Sequence, residues 1–118
     1  MWQVVIATFA LPEAPLDAAA HFHAEHVPMA RELLSGEAAM PGPGLAAELE
    51  ALAFVFPSAG KEHLGWRLAA IQALAREAAP KRVNGVVGDD QEAIDATTAW
   101  LAKAPGITGQ LLAVGPAA

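Results

Sequence analysis

Cysteine and tyrosine are both missing from the 118 residues, aromatic residues make up only 6%, and charged residues only 17%. Without cysteine there are no disulfides, thiolate zinc sites, iron–sulfur clusters or cysteine nucleophiles, which suits a reducing compartment. Without tyrosine there is no phenol to donate or accept a proton. Lysine and arginine total 7 against 13 acids, and Arg31 is the one base in residues 1–60. No cluster of cations exists to displace counterions from phosphates, so nucleic acid is excluded as a partner. No apolar run approaches the roughly 18 residues of a membrane span. Residues 1–11 are apolar but lack the basic flank and small-residue cleavage site of a secretion signal, and they read as a core strand. The expected location is the cytoplasm, with no membrane partner.

What remains is apolar but small. Hydrophobic residues make up 54%, yet 29 residues are alanine, against 13 leucines, 8 valines and 4 isoleucines. A chain of this length supports one core, hence one domain, and close packing of small side chains must supply much of it. Residues 3–9 (QVVIATF) are rich in β-branched residues and nearly all apolar, as in a strand buried on both faces. An Ala-rich stretch and a histidine cluster follow, then a helix over residues 29–34. Residues 35–44 (SGEAAMPGPG) form a loop, 45–52 add a helical turn or two, and 53–56 (AFVF) make a second strand closed by Pro57.

The strongest helical pattern covers residues 62–79, between Gly60 and Pro80. Leu64, Leu68, Ile71, Leu74, Ala75 and Ala78 share the face expected against a sheet. Trp66, Ala69, Ala70 and Ala73 lie opposite, so the helix is apolar on two sides and calls for burial on both. Residues 82–87 (RVNGVV) are a third strand. Asp89 then precedes an acidic first turn with Glu92 three residues on, near to a capping box, and the helix runs to about residue 102, with Lys103 favoured by its dipole. Residues 110–114 (QLLAV) are the fourth strand. The alternation predicts an α/β fold: three layers, a mostly parallel four-stranded sheet, right-handed crossovers and helices on both faces.

Candidate chemistry is sparse. His21, His23 and His26, with Glu25, form H-F-H-A-E-H, but no regular conformation brings all three imidazoles together and the spacing matches no zinc motif, so a solvated or partner-facing helix start competes with a metal site. Ser58 has His63 as its nearest histidine, but Glu62 is the only nearby carboxylate and adjacent helical residues do not face each other. Ser58 is then a strand end or helix cap, and His63 a surface residue. Asp89 and Asp90 suit helix capping as well as a metal, and they repel phosphate.

Three stretches resemble the C-terminal half of the short-chain dehydrogenase/reductase family: residues 73–80 (ALAREAAP) leading into Arg82, Val83 and Asn84 (RVN), then 99–102 (AWLA), then 107–110 (ITGQ). More faintly, residues 3–9 and 54–60 (FVFPSAG) resemble that family's fourth and fifth strands. The resemblance implies half of a Rossmann-like fold beginning at the fourth strand. It also places the catalytic Tyr at Gly60 and the Lys at Leu64, neither of which transfers protons, and the active-site Ser near Ser58. No glycine-rich dinucleotide turn occurs, and the loop that contacts nicotinamide is missing because residues 86–88 run straight into Asp89. Hydride transfer needs both a bound nicotinamide and a positioned acid. The expectation is therefore a chain with no cofactor and no oxidoreductase activity.

In the resembling family the helix corresponding to residues 62–79 packs across a subunit axis, which casts Trp66, Ala69, Ala70 and Ala73 as an interface; an intrachain contact with the helix over 29–34 is the competing reading. The strand around Val4, Val5 and Ile6 loses the neighbour it has in that family and becomes an uncharged sheet edge, needing cover from residues 12–24, a second copy or another chain. The expected partner is a second copy, in a dimer or tetramer, with a separate Rossmann half-domain as the alternative. A small-ligand crevice at the carboxyl ends of the strands, near Ala10, Ser58 and Gly88, is the other functional reading.

Overall fold

In the computed structural model, which describes residues 2–8, 11–35 and 49–115, the most apolar segment of the chain sits at the centre of the sheet. β2 (Leu49–Phe56) is buried at every position but the partly exposed Glu50. It is flanked by β1 (Trp2–Ala7) and β3 (Arg82–Val87), with β4 (Leu111–Ala113) beyond, giving the order β1-β2-β3-β4 with every pairing parallel. Trp2 pairs with Leu49 but Gln3 with Ala51, a bulge at Glu50 that resets the alternation of β2.

From that point the two faces separate cleanly. Val4, Ile6, Leu52, Phe54, Phe56 and Val83 pack under α1 (Pro15–His21), α2 (Val27–Ser35) and α3 (Leu64–Ala78). Val55, Val86 and Leu112 pack under α4 (Gln91–Ala102) with Ile94 and Leu101. All three connections step the same way across the sheet. The third lies on the opposite face from the first two, so it has the opposite hand. Helices on both faces were expected, but uniformly right-handed crossovers are incompatible with a sequential strand order, and that expectation is corrected.

Other boundaries also differ from expectation. Residues 49–52 are strand, since they pair with β1 and β3 rather than coil; the preceding 45–48, like 36–44, Phe9 and Ala10, lie outside the described residues. The helix expected over 29–34 is the end of one helical run from Pro15 to Ser35, whose middle, Phe22–His26, is π-helical with Val27 N–H donating to the Phe22 carbonyl. Pro28 has no N–H for a regular helical bond, and the widened turn before it absorbs the mismatch. A one-turn 3₁₀ segment, Lys61–His63, leads into α3. Leu64, expected on the core face, is 55% exposed at the rim of a cleft, while Arg67 takes the buried position one turn later.

Candidate functional site

The motifs that carry the family likeness hold the sheet together. Arg82 is buried and donates from Nη1 to the carbonyls of Leu101 and Ala104, at 2.7 and 2.8 Å. A cation thus sits at the negative end of α4, a role expected of Lys103, which is exposed. Asn84, also buried, donates from Nδ2 to Ile107 O and accepts from Gln110 N. Val83 N–H donates to Thr108 Oγ1, and Gly109 N–H to Val83 O. Gly109 has φ +71, a conformation that favours glycine. RVN and ITGQ are two halves of one hydrogen-bonded seam.

The carboxyl ends of β2 and β3 hold the positions to which the family likeness assigns chemistry. Gly60 and Leu64 flank the start of the α3 run, and both line a cleft of about 160 Å³. Ser58 N–H donates to Asp89 Oδ1 at 3.0 Å. The Ser58 hydroxyl, with its backbone N–H, holds the Asp89 carboxyl below its ordinary pKa. Asp90, not Asp89, caps α4, by accepting from Ala93 N–H. Gly88 is buried, with Val114 standing where a Cβ would go, so it lines no opening; Ala10 is outside the described residues.

His63 is not a surface residue. It is buried, its Nδ1 accepts from Trp66 Nε1–H at 3.0 Å, and its Nε2 donates to Glu13 O at 3.0 Å. Both nitrogens are committed to tying α3 to the start of α1, which leaves none to serve Ser58 as a base. Trp66 is likewise turned inward. Its ring lies 5.5 Å from Phe22 and 6.0 Å from Phe56, and Ala70 is buried beside it on the helix. The contact named as the competing reading is therefore formed, through Phe22 rather than residues 29–34. Ala69 and Ala73 are exposed.

Arg67 is the residue that sequence reasoning missed. It is buried, donates from Nη1 to Pro57 O at 2.9 Å, and sits over the Phe56 and Trp66 rings at 4.8 and 5.7 Å. Burial lowers its pKa. The only sequence signal was an arginine aligned with Ile71, Leu74 and Ala78 on the apolar side of α3.

The π-helical turn brings His21 and His26 together, ring centres 5.8 Å apart, and directs His23 elsewhere, its Nδ1 against Ala19 O. Among the described residues no group of three or more acidic or histidine side chains is arranged to hold a metal ion. His26 stacks on Phe22 at 5.4 Å and its Nδ1 is buried without a partner. Burial, and secondarily His21, lower its pKa, against a smaller raising effect of Glu25. Because the folded value lies below the ordinary one, its stabilising effect is complete above pH ~6.5 and is lost as pH falls through the folded value. Thermal unfolding across that range should show wild type losing a few degrees more than His26→Gln; parallel curves would contradict this.

A parallel sheet wound with helices on both faces, sewn at its far edge by RVN and ITGQ, defines a Rossmann-like protein of the short-chain dehydrogenase kind. The profile of the SDR-like family, described as "Short chain dehydrogenase-like protein", matches residues 6–114, and the chain belongs to that family. No curated protein and no solved structure matches it. Among the described residues no helix is long and apolar enough to cross a membrane.

Proposed function

We propose that this chain works by association, as a non-catalytic Rossmann-like module that pairs with a second copy of itself along β1. The observation that carries this is the outer edge of β1, which no other strand among the described residues pairs. Thr8 N–H donates to Val55 O, so the backbone groups of Val4 and Ile6 also face β2, and those of Gln3, Val5 and Ala7 face outward. Val5 is 47% exposed and Ala7 is exposed as well, although α4 reaches the start of this strand through Gln3 Nε2, which donates to Thr98 O at 2.8 Å. No charge, proline or second bulge blunts this edge. A two-fold copy satisfies it, because a strand edge is complementary to itself.

The non-catalytic part of the reading rests on residue chemistry. Gly60 and Leu64 carry no group that transfers a proton, and the Val87–Asp90 turn is spent on closing β3 and capping α4. With Trp66 engaged inside the chain, the interface moves from the α3 face to β1.

Light scattering on the purified protein at high micromolar concentration should give a dimer. Val5→Lys should give a monomer with an unchanged far-UV circular dichroism spectrum, since Val5 is already half exposed. A monomeric wild type, or a dimer that ignores Val5→Lys, defeats the proposal. A co-purifying Rossmann-like half-domain reassigns the partner, and saturable uptake of NAD(H) or NADP(H) defeats the non-catalytic reading.

A further inference from the structure

Asn84 is the only asparagine among the 118 residues, and a glycine follows it. Between apolar runs such a pair commonly marks a turn, yet here it lies in the middle of β3. The fold uses both residues. Asn84 is 1% exposed, and its side-chain amide donates to Ile107 O and accepts from Gln110 N–H, so it fastens the seam. At residue 85 a Cβ would stand 2.7 Å from Leu111 Cδ1 and 3.2 Å from Ile71 Cγ1, so glycine is what lets those side chains close over the strand.

An asparagine before glycine is also the one whose side-chain amide is most easily lost. With no side chain in the way, the glycine nitrogen attacks the asparagine Cγ. The N–Cγ bond forms, the Cγ–Nδ2 bond breaks, and Nδ2 leaves as ammonia with the glycine amide proton. Water then opens the cyclic imide, at Cγ to give aspartate or at the main-chain carbonyl carbon to give isoaspartate.

The folded sheet blocks the first step. Gly85 N–H donates to Gln110 O at 2.8 Å, on the β4 side. Gly88 N–H donates to Phe56 O, so the even-numbered residues of β3 face β2, the Asn84 carbonyl among them. Turning the Gly85 nitrogen onto Cγ rotates that whole planar peptide unit and detaches it from both neighbours. Ring closure therefore awaits release of β3 from β2 as well as from β4.

We propose that Asn84–Gly85 is a self-modification site gated by unfolding, which turns a transient opening of the sheet into a permanent mark. Aspartate at 84 still accepts from Gln110 N–H, but it buries a charge and leaves Ile107 O facing another oxygen. Isoaspartate adds a methylene to the main chain of β3 and breaks its alternation. Neither product re-forms the seam, so a chain that has opened and reacted is lost from the folded pool. The assignment is independent of the pairing along β1.

Incubation of the full chain in warm, mildly alkaline buffer across a guanidinium chloride series tests it, with the peptide containing Asn84 read by mass and chromatography. Conversion should follow the unfolded fraction, with isoaspartate in excess, and should be at least about a hundredfold slower without denaturant, because slow chemistry on an open form tracks its population. After dilution, unconverted chains should recover the Gln110 amide resonance and converted chains should not. Asn84→Asp, the aspartate product made directly, should lower the folding equilibrium constant at least about tenfold or fail to fold. The proposal is overturned if the folded chain converts as fast as the unfolded one, if unfolded chains keep Asn84, if converted chains regain the wild-type spectrum, or if Asn84→Asp is as stable as wild type.

Discussion

Replacing Phe22 by alanine should cost about 3–5 kcal/mol of folding stability, as for large aromatic truncations in a close-packed core. Phe22 is fully buried and its ring meets Phe54 at 4.9 Å, Phe56 at 5.4 Å and Trp66 at 5.5 Å, with His26 stacked on its other side. Its ring joins the π-helical turn to the central strand and to α3. Against a total of about 5–15 kcal/mol for a domain, this is about a fifth of the margin or more. Denaturant unfolding followed by tryptophan fluorescence gives the cost, and near-UV circular dichroism reports on Trp66. Phe22→Leu should restore about half. A loss under about 1 kcal/mol would mean that the helical run from Pro15 to Ser35 does not dock where the structure puts it. Ala69→Glu, on the exposed side of α3, should be close to neutral and serves as the control.

The same cluster shows where the sequence was legible and where it was not. Helix type followed from the 3.6-residue period that burial on a sheet face imposes, and strand type from short apolar runs buried on both faces. β1, β3 and α4 could be placed within a few residues on that basis. The α3 face could be seen to be apolar on two sides, but periodicity does not say whether the second side meets its own chain or another. That depended on Phe22, which lies forty-four residues earlier in a segment obscured by Pro28 and by three histidines. A π-helical turn has no signature in a pattern built on 3.6 residues, so the docking of that helix was hidden.

The candidate site was hidden for a related reason. Arg67 and His63 have the composition of a surface, and only three-dimensional placement buries them: one over two aromatic rings, the other between Trp66 and a carbonyl of the α1 approach. Conversely, Ser58, Asp89 and Asp90 read as chemistry and are spent on local structure, since short polar side chains at strand ends and helix starts are drawn to nearby backbone N–H groups. The hand of the third crossover could not be read from spacing at all.

Arg82→Met should cost about 3–4 kcal/mol, although it removes a charge from a buried position, a change that is favourable when partners leave together. Here they do not. The carbonyls of Leu101 and Ala104 keep one backbone donor each, Ala104 N–H and Ile107 N–H, but each loses a charge-assisted bond worth about 1.5–3 kcal/mol, and the last turn of α4 loses the cation facing its dipole. Arg82→Lys should recover only part, because an ammonium at one point cannot reach acceptors spread across the helix end as a guanidinium fork does. The damage should be local first. Hydrogen exchange should rise at the Asn84-bonded amide of Gln110 and at the Gly109 amide, and then through β4, before β2 is affected, since β4 is a three-residue strand held to β3 by this seam. Exchange that rises uniformly, or a cost below about 1 kcal/mol, would show that the seam is decorative. If the seam fails as described, RVN and ITGQ act as the fastening of a sheet edge. The chain can then keep its parallel sheet through them.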